Sequence, residues 1–234
     1  MASDPLSVRN LSAERANEQG AVDVVSEFNY TFQSGYFYEI CGEGRGGKSL
    51  LLQLLGLLVP GTTGEILVDG VLLTNLDLDG LSEVRNKKFG FLFAAPFLLP
   101  AFTALENVAM PLFKITQVEA SEAKLITEEI LEMTGISEIA DALIDELGGL
   151  EQMLTALARA MIHHPRILIA ENVGANLSEA AAAQLLMAVR RSSHRLGVTV
   201  IATLADHISW RYSDVLLEVR PKCVEEFVRK GPCG

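Results

Sequence analysis

"GEGRGGKS", Gly42 to Ser49, fits the pattern G-x-x-x-x-G-K-S/T. In such a loop, backbone N–H groups and a helix N-terminus surround phosphates. The lysine reaches the β- and γ-phosphates, and the hydroxyl ligates Mg²⁺. Here those parts fall to Gly42, Gly44, Gly46, Gly47, Lys48 and Ser49, with Leu50 next in line. The apolar run "GYFYEICG" (35–42) leads into the loop, and a helical run from Lys48 to about Leu58 leaves it. Strand, loop and helix in that order separate a true phosphate loop from a chance match. Further on, "LIAENVGANLS" (168–178) ends an apolar strand on Glu171 and Asn172, where two acids are expected. One acid followed by an amide leaves open whether the loop's chemistry is complete.

Outward from the loop, "LSVRNL" (6–11) and "EFNYTF" (27–32) alternate polar and apolar residues, the period of half-buried strands. "PGTTGE" (60–65) stops the helix after the loop, and "EILVDGVLL" (65–73) predicts a hairpin around Asp69-Gly70. "KKFGFLF" (87–93) predicts another strand. From about Thr103 to Ala160 the pattern turns helical, with charged faces such as "EASEAKLITEEILEMTGI" (119–136). "RILIAEN" (166–172) is a continuous apolar strand, as parallel sheets buried on both faces require. A helix over 178–197 and a strand over 198–204 follow. The fold class is α/β: a phosphate-loop core, an N-terminal antiparallel β subdomain and an inserted helical lobe.

The chain has 234 residues, 49% of them hydrophobic, enough for one large domain. A net charge of −11 argues against a nucleic-acid partner, which needs clustered Lys and Arg. The three cysteines, Cys41, Cys223 and Cys233, show no metal spacing, and a sparse, odd set suits a reducing compartment. "MASDPLSVRN" has no apolar signal core. The longest apolar stretch (89–105) falls short of a membrane span and is interrupted by Pro96 and Pro100, so it predicts a buried strand and a loop.

Four stretches, "LLQLLGLLVPGTTGEILVDG" (51–70), "VRNKKFGFLF" (84–93), "LLPAFTALENVAMPL" (98–112) and "ALARAMIHHPRILIA" (156–170), resemble the ATP-binding subunit of ABC transporters. The similarity is to the lipoprotein-releasing and macrolide-exporter type and covers roughly Leu6 to Val219. It implies one ABC ATP-binding domain over 1–234, with 1–95 and 161–234 as the nucleotide-binding core and 96–160 as a helical lobe. It also implies ATP and Mg²⁺ as ligands and a dimer in which ATP sits between one subunit's phosphate loop and the other's signature loop. The partners implied are an integral membrane permease and a second ATP-binding subunit, identical or different. The implied location is the cytoplasmic face of the inner membrane.

The chain departs from the family pattern where chemistry is done. Arg15 stands near the adenine-stacking aromatic position, Arg45 replaces a loop glycine, and Leu50 replaces a threonine. The glutamine that senses metal and attacking water falls at Ala94. The signature appears as "LGGLE", Leu147, Gly148, Gly149, Leu150 and Glu151, with its serine and second glycine lost. Glu171 corresponds to the metal-binding Asp, Asn172 to the catalytic Glu, Val173 to a proline, Ser178 to an Asp and Ala205 to the switch histidine. Leu150 is expected to set an apolar side chain where the family brings backbone to phosphate. Ser49 and Glu171 remain as Mg²⁺ ligands, with Glu171 one methylene longer than Asp.

His207 lies two positions beyond the switch histidine and is not expected to replace it. His163 and His164, before Pro165, are expected at the surface, and Glu146 and Glu151 on a solvated edge. Arg45 can set a charge near phosphate or stand exposed in its loop. The leading expectation is a catalytically degenerate subunit that couples or regulates through a dimer and binds ATP weakly. A slow but genuine ATPase and a scaffold that binds no nucleotide stand beside it.

Overall fold

The computed structural model describes residues 4–16, 22–42, 47–61, 63–74, 76–115, 118–205, 212–220 and 223–228. Strands β1 (Leu6–Ala16) and β2 (Val22–Phe32) pair antiparallel, both longer than their alternation foretells. In β1 the buried residues switch phase, from Leu6 and Val8 to Leu11 and Ala13. A register shift between Val8 and Leu11 and a positive φ of 48° at Asn10 explain the switch. The extra residue of a bulge turns the following side chains back to the core. Strand β4 (Thr63–Val68) pairs with β1, and β5 (Val71–Leu72) returns through the expected Asp69-Gly70 turn. Both turn residues have positive φ, 50° and 79°, as a two-residue hairpin of this twist demands. Together these form a sheet of order β2-β1-β4-β5.

The second sheet holds β3 (Phe37–Cys41), β6 (Phe89–Phe93), β7 (Ile167–Val173), β8 (Thr199–Leu204), β9 (Val215–Arg220) and β10 (Cys223–Val228). Its order is β10-β9-β3-β8-β7-β6, all parallel except the β9–β10 hairpin. Helix α1 (Lys48–Leu55) buries Leu50, Leu51, Leu52, Leu54 and Leu55 in one cluster with residues of both sheets. A second cluster on the other face joins the parallel strands to α5 (Gly149–Met161) and α6 (Glu179–Leu196). Gly90 makes the fit of α5 possible: a Cβ there would stand 2.2 Å from the Ala160 carbonyl oxygen. Gly90→Ala is therefore expected to cost about 1–3 kcal/mol, read as a lower denaturant midpoint at unchanged slope.

Helix α2 (Leu78–Lys88) buries no residue fully; Leu81 and Val84 lean half-buried on the first core cluster, a short apolar face that the sequence pattern hides. Asp77 caps it by accepting the Gly80 N–H at 2.8 Å. Lys87 and Lys88 end this helix, and the following strand begins at Phe89 rather than at Lys87. Lys88 Nζ donates to Asp69 at 2.7 Å, and Arg166 Nε donates to the same carboxylate at 3.0 Å. The hairpin of the first sheet is thereby tied to the second. Burial alone would raise the Asp69 carboxyl, but its two cationic partners outweigh that and hold it below the usual range. A depressed folded value gives stability that is present above the unfolded pKa of about 4 and is lost as pH falls through the folded one. Chemical denaturation from neutral to acidic pH is expected to show this loss, and Asp69→Asn to flatten that part of the slope.

Helices α3 (Ala104–Ile115) and α4 (Ala120–Thr134) pack with α5 around a third cluster of Val108, Leu112, Ile130 and Leu131. The start of α3 explains "TALEN". The Thr103 N–H donates to Glu106 at 2.8 Å, and the Glu106 N–H donates to Thr103 Oγ1 at 3.2 Å, a reciprocal cap. Buried Asn107 accepts from the Leu99 N–H and donates to the carbonyls of Leu99, Phe102 and Thr103. Arg159 donates to the carbonyls of Pro96 and Phe97, each at 2.7 Å. The loop over 96–103 is pinned from both ends. No helix among the described residues is long and apolar enough to cross a membrane.

Candidate nucleotide site at the strand ends

The C-terminal ends of β3, β6, β7 and β8 bring the expected residues to one edge of the parallel sheet, where open α/β sheets place ligands. Gly42 ends β3 at φ 141°, and a Cβ there would lie 2.2 Å from the Val219 carbonyl oxygen of β9. Gly47, at φ 82°, caps α1, and its added Cβ would lie 3.0 Å from the Val24 carbonyl oxygen. Only glycine lets the backbone pass so close at either place. Gly44, Arg45, Gly46 and His207 lie outside the described residues.

Lys48 opens α1, and Ser49 lies exposed beside it. Ser49 Oγ donates to Glu171 Oε1 at 2.6 Å. The helix start and the end of β7 thus set a hydroxyl and a carboxylate together, two hard oxygen donors of the kind Mg²⁺ takes. Leu50 differs: its side chain is 1% exposed in the core, which leaves only its backbone N–H for the loop.

Asn172 is exposed at φ 51°, where β7 bulges between Ala170 and Val173. Asn is among the few non-glycine residues that accept this left-handed backbone readily. Its N–H donates to Thr203 Oγ1 at 2.8 Å, fixing the strand end. Ala94 follows β6, and its carbonyl accepts from Asn176 Nδ2 at 3.3 Å. Ala205 follows β8 and is buried, its N–H donating to the Val173 carbonyl at 3.1 Å. Val173 is core, and Ser178 caps α6 by accepting the Ala181 N–H at 3.4 Å. Among Ala94, Asn172 and Ala205, no side chain can accept a proton at neutral pH.

The "LGGLE" stretch begins α5, with Gly148 as its cap residue. A Cβ on Gly149 would lie 3.5 Å from Leu177, so this helix start packs on the loop that follows Asn172. Leu150 is half-buried and packs against the second core cluster, as Leu98, Leu154 and Leu177 do. An apolar side chain next to that cluster gains more by burial than by standing in the loop. Glu151 accepts the Gly148 N–H at 2.7 Å, and Glu146 accepts the Leu143 N–H at 3.2 Å, so both acids close local turns.

His163 is not a surface residue. It is half-buried, its Nε2 lies 3.0 Å from the Phe89 carbonyl, and burial pushes its pKa below the usual range. His164 is exposed.

Sequence reasoning missed several parts. Arg15 Nη1 donates to Gln53 Oε1 at 2.7 Å, laying a guanidinium across α1. Glu39, buried in β3, accepts from Ser213 Oγ at 3.0 Å, and burial raises its pKa. Burial also pushes the neighbouring Cys41 thiol up to about 11; Glu39 and Glu218 add to the shift and the Lys48 charge opposes it. An isolated Glu inside an apolar run was the available signal for Glu39; Thr203 and Gln53 gave none.

The two sheets, the phosphate-loop helix between them and the strand-end site define an ABC ATPase cassette. The solved cassette MJ0796, seen as a dimer in a post-hydrolysis state with ADP and Pi, matches with a TM-score of 0.82 and 26% identity, covering 97% of this chain and 99% of that one. The chain belongs to the ABC transporter family, whose model matches residues 25–173. It is 28% identical to the lipoprotein-releasing system ATP-binding protein LolD of Shewanella frigidimarina, over 98% of this chain and 95% of the relative. It is 34% identical to LolD of Bacteroides thetaiotaomicron, over 80% of this chain and 85% of the relative.

Proposed function

We propose that this chain binds Mg-ATP weakly, hydrolyses it negligibly and serves a membrane permease complex as a coupling or regulating subunit. It would work from the cytoplasmic face, in a dimer with an identical or different ATP-binding subunit. One domain does this, with residues 96–160 as the lobe that meets the permease. The observation that carries the reading is the 2.6 Å contact of Ser49 with Glu171, set beside Asn172, Ala94 and Ala205. The first keeps a binding geometry; the other three offer no proton acceptor.

In this reading Lys48 and the backbone N–H groups around Gly47 hold the phosphates. Ser49 and Glu171 hold Mg²⁺, which when bound supplies charge neutralisation to the phosphates. Asn172 orients but cannot deprotonate a water, and the methyls of Ala94 and Ala205 position nothing. Phosphoryl transfer rests on positioning and electrostatics, so these losses act together. The slow-ATPase reading rests on Glu171, the acid hydrogen-bonded to Ser49 of the phosphate-loop helix. Calorimetric titration with Mg-ATP separates a binder from a scaffold, and phosphate release separates a binder from an enzyme.

The permease contact is supported by a pinned apolar surface. Phe97 is 70% exposed and Phe113 56%, with Leu99, Phe102 and Met110 exposed beside them. Arg159 and Asn107 fix the loop that carries most of them, so its ordering cost is met before docking. Phe97→Asp is expected to release the chain from membranes containing its complex while leaving the fold intact. Unchanged membrane association of a folded variant would remove this site from the reading.

A further inference from the structure

Away from the strand ends, a groove of about 670 Å³ lies between the C-terminal end of α4, the side of α5 and α6. Leu154 and buried Ala188 form its base. Met187, 60% exposed, stands at its edge. Met187, Ala188, Arg191 and His194 follow one another at spacings that share a helix face.

The groove's charge is one-sided. Among the described residues no carboxylate lines it, although the chain as a whole carries −11. Arg190 is already committed, donating to the Tyr212 carbonyl at 2.6 Å and to Asp214 at 2.8 Å. Arg191 is not. One of its nitrogens, Nη2, donates to the Met133 carbonyl at 3.1 Å, which anchors the guanidinium at the end of α4. Its Nε and Nη1 have no partner among the described residues, and His194 is exposed next to them. Anchored guanidinium donors next to apolar walls ask for an oxygen anion on an apolar body. The volume lies in the range of small-ligand pockets, about 300–1,000 Å³, and methionine adapts to ligand shape.

We propose that this groove binds a small amphipathic carboxylate, with its carboxylate on Arg191 and His194 and its apolar body along Leu154, Met187 and Ala188. The site is independent of the nucleotide reading.

Laurate is the probe, titrated below its micellar concentration into the whole chain and followed by amide NMR shifts and calorimetry. Acetate and 1-dodecanol report the anionic and apolar halves separately. Saturable one-to-one laurate binding is expected, with shifts centred on Gly135, Gln184 and Arg191, and with either half at least tenfold weaker. Arg191→Gln is expected to weaken laurate about tenfold or more, as loss of a charge-assisted hydrogen bond does. Met187→Glu, at an exposed position the fold tolerates, is expected to do the same by repulsion, and it stands as the test if Arg191→Gln unfolds. Equal binding of dodecanol and laurate, shifts centred elsewhere, or wild-type affinity in a folded Met187→Glu chain would overturn the proposal.

Discussion

Lys48→Ala is expected to lower affinity for Mg-ATP by roughly one to two orders of magnitude. Hydrogen bonds to charged groups contribute about 1.5–3 kcal/mol, and each 1.4 kcal/mol is tenfold. Lys48 is the charge at the start of α1, half-buried, with its field felt at Cys41. The binding it supports is expected to start from a weak base, because the family resemblance puts the adenine-stacking aromatic near position 15, which is Arg15 here. Aromatic stacking and cation–π contacts are worth about 1–2 kcal/mol, roughly one decade. Calorimetric titration of wild type and Lys48→Ala chains checks this. Tight binding that ignores Lys48 would place the nucleotide elsewhere.

Asn172→Glu is expected to leave hydrolysis at background. Loss of a general base costs about 10²–10⁴-fold in rate, but the added base would find no polar group at Ala94 or Ala205 to position the water. The backbone adds a second obstacle. Asn172 sits at φ 51° in the bulge of β7, and an ordinary L-residue in the left-handed region costs about 1–2 kcal/mol. The substitution is thus expected to lower stability by that order while returning no turnover. Denaturant midpoint and phosphate release on the same preparation measure both. Robust turnover in Asn172→Glu alone would show that the missing base was the whole defect.

The parallel core was legible because its strands are apolar throughout and its loop has a motif. "RILIAEN" and the Asp69-Gly70 turn fell where pattern placed them. Helix α2 was hidden, since two half-buried residues, Leu81 and Val84, leave little periodic signal beside its Asp77 cap. β9 and β10 went unassigned: β9 is placed by its pairing with distant β3, and β10 joins the sheet by returning along β9. At the site, Glu171 and Ser49 could be named from sequence, but their contact spans 122 positions of chain. The same limit hid the contact of half-buried His163 with the Phe89 carbonyl and the packing of Leu150 against the second core cluster. Each depends on a neighbour that only the fold supplies.

The most direct test follows nucleotide and phosphate together in one sample. The purified chain, saturated with Mg-ATP by calorimetry, is assayed for phosphate release beside Lys48→Ala. Saturable, Lys48-dependent binding is expected, with phosphate release no higher than in that control. Release well above it, at the same occupancy, would make this chain a working ATPase and contradict its role as a binding subunit without turnover.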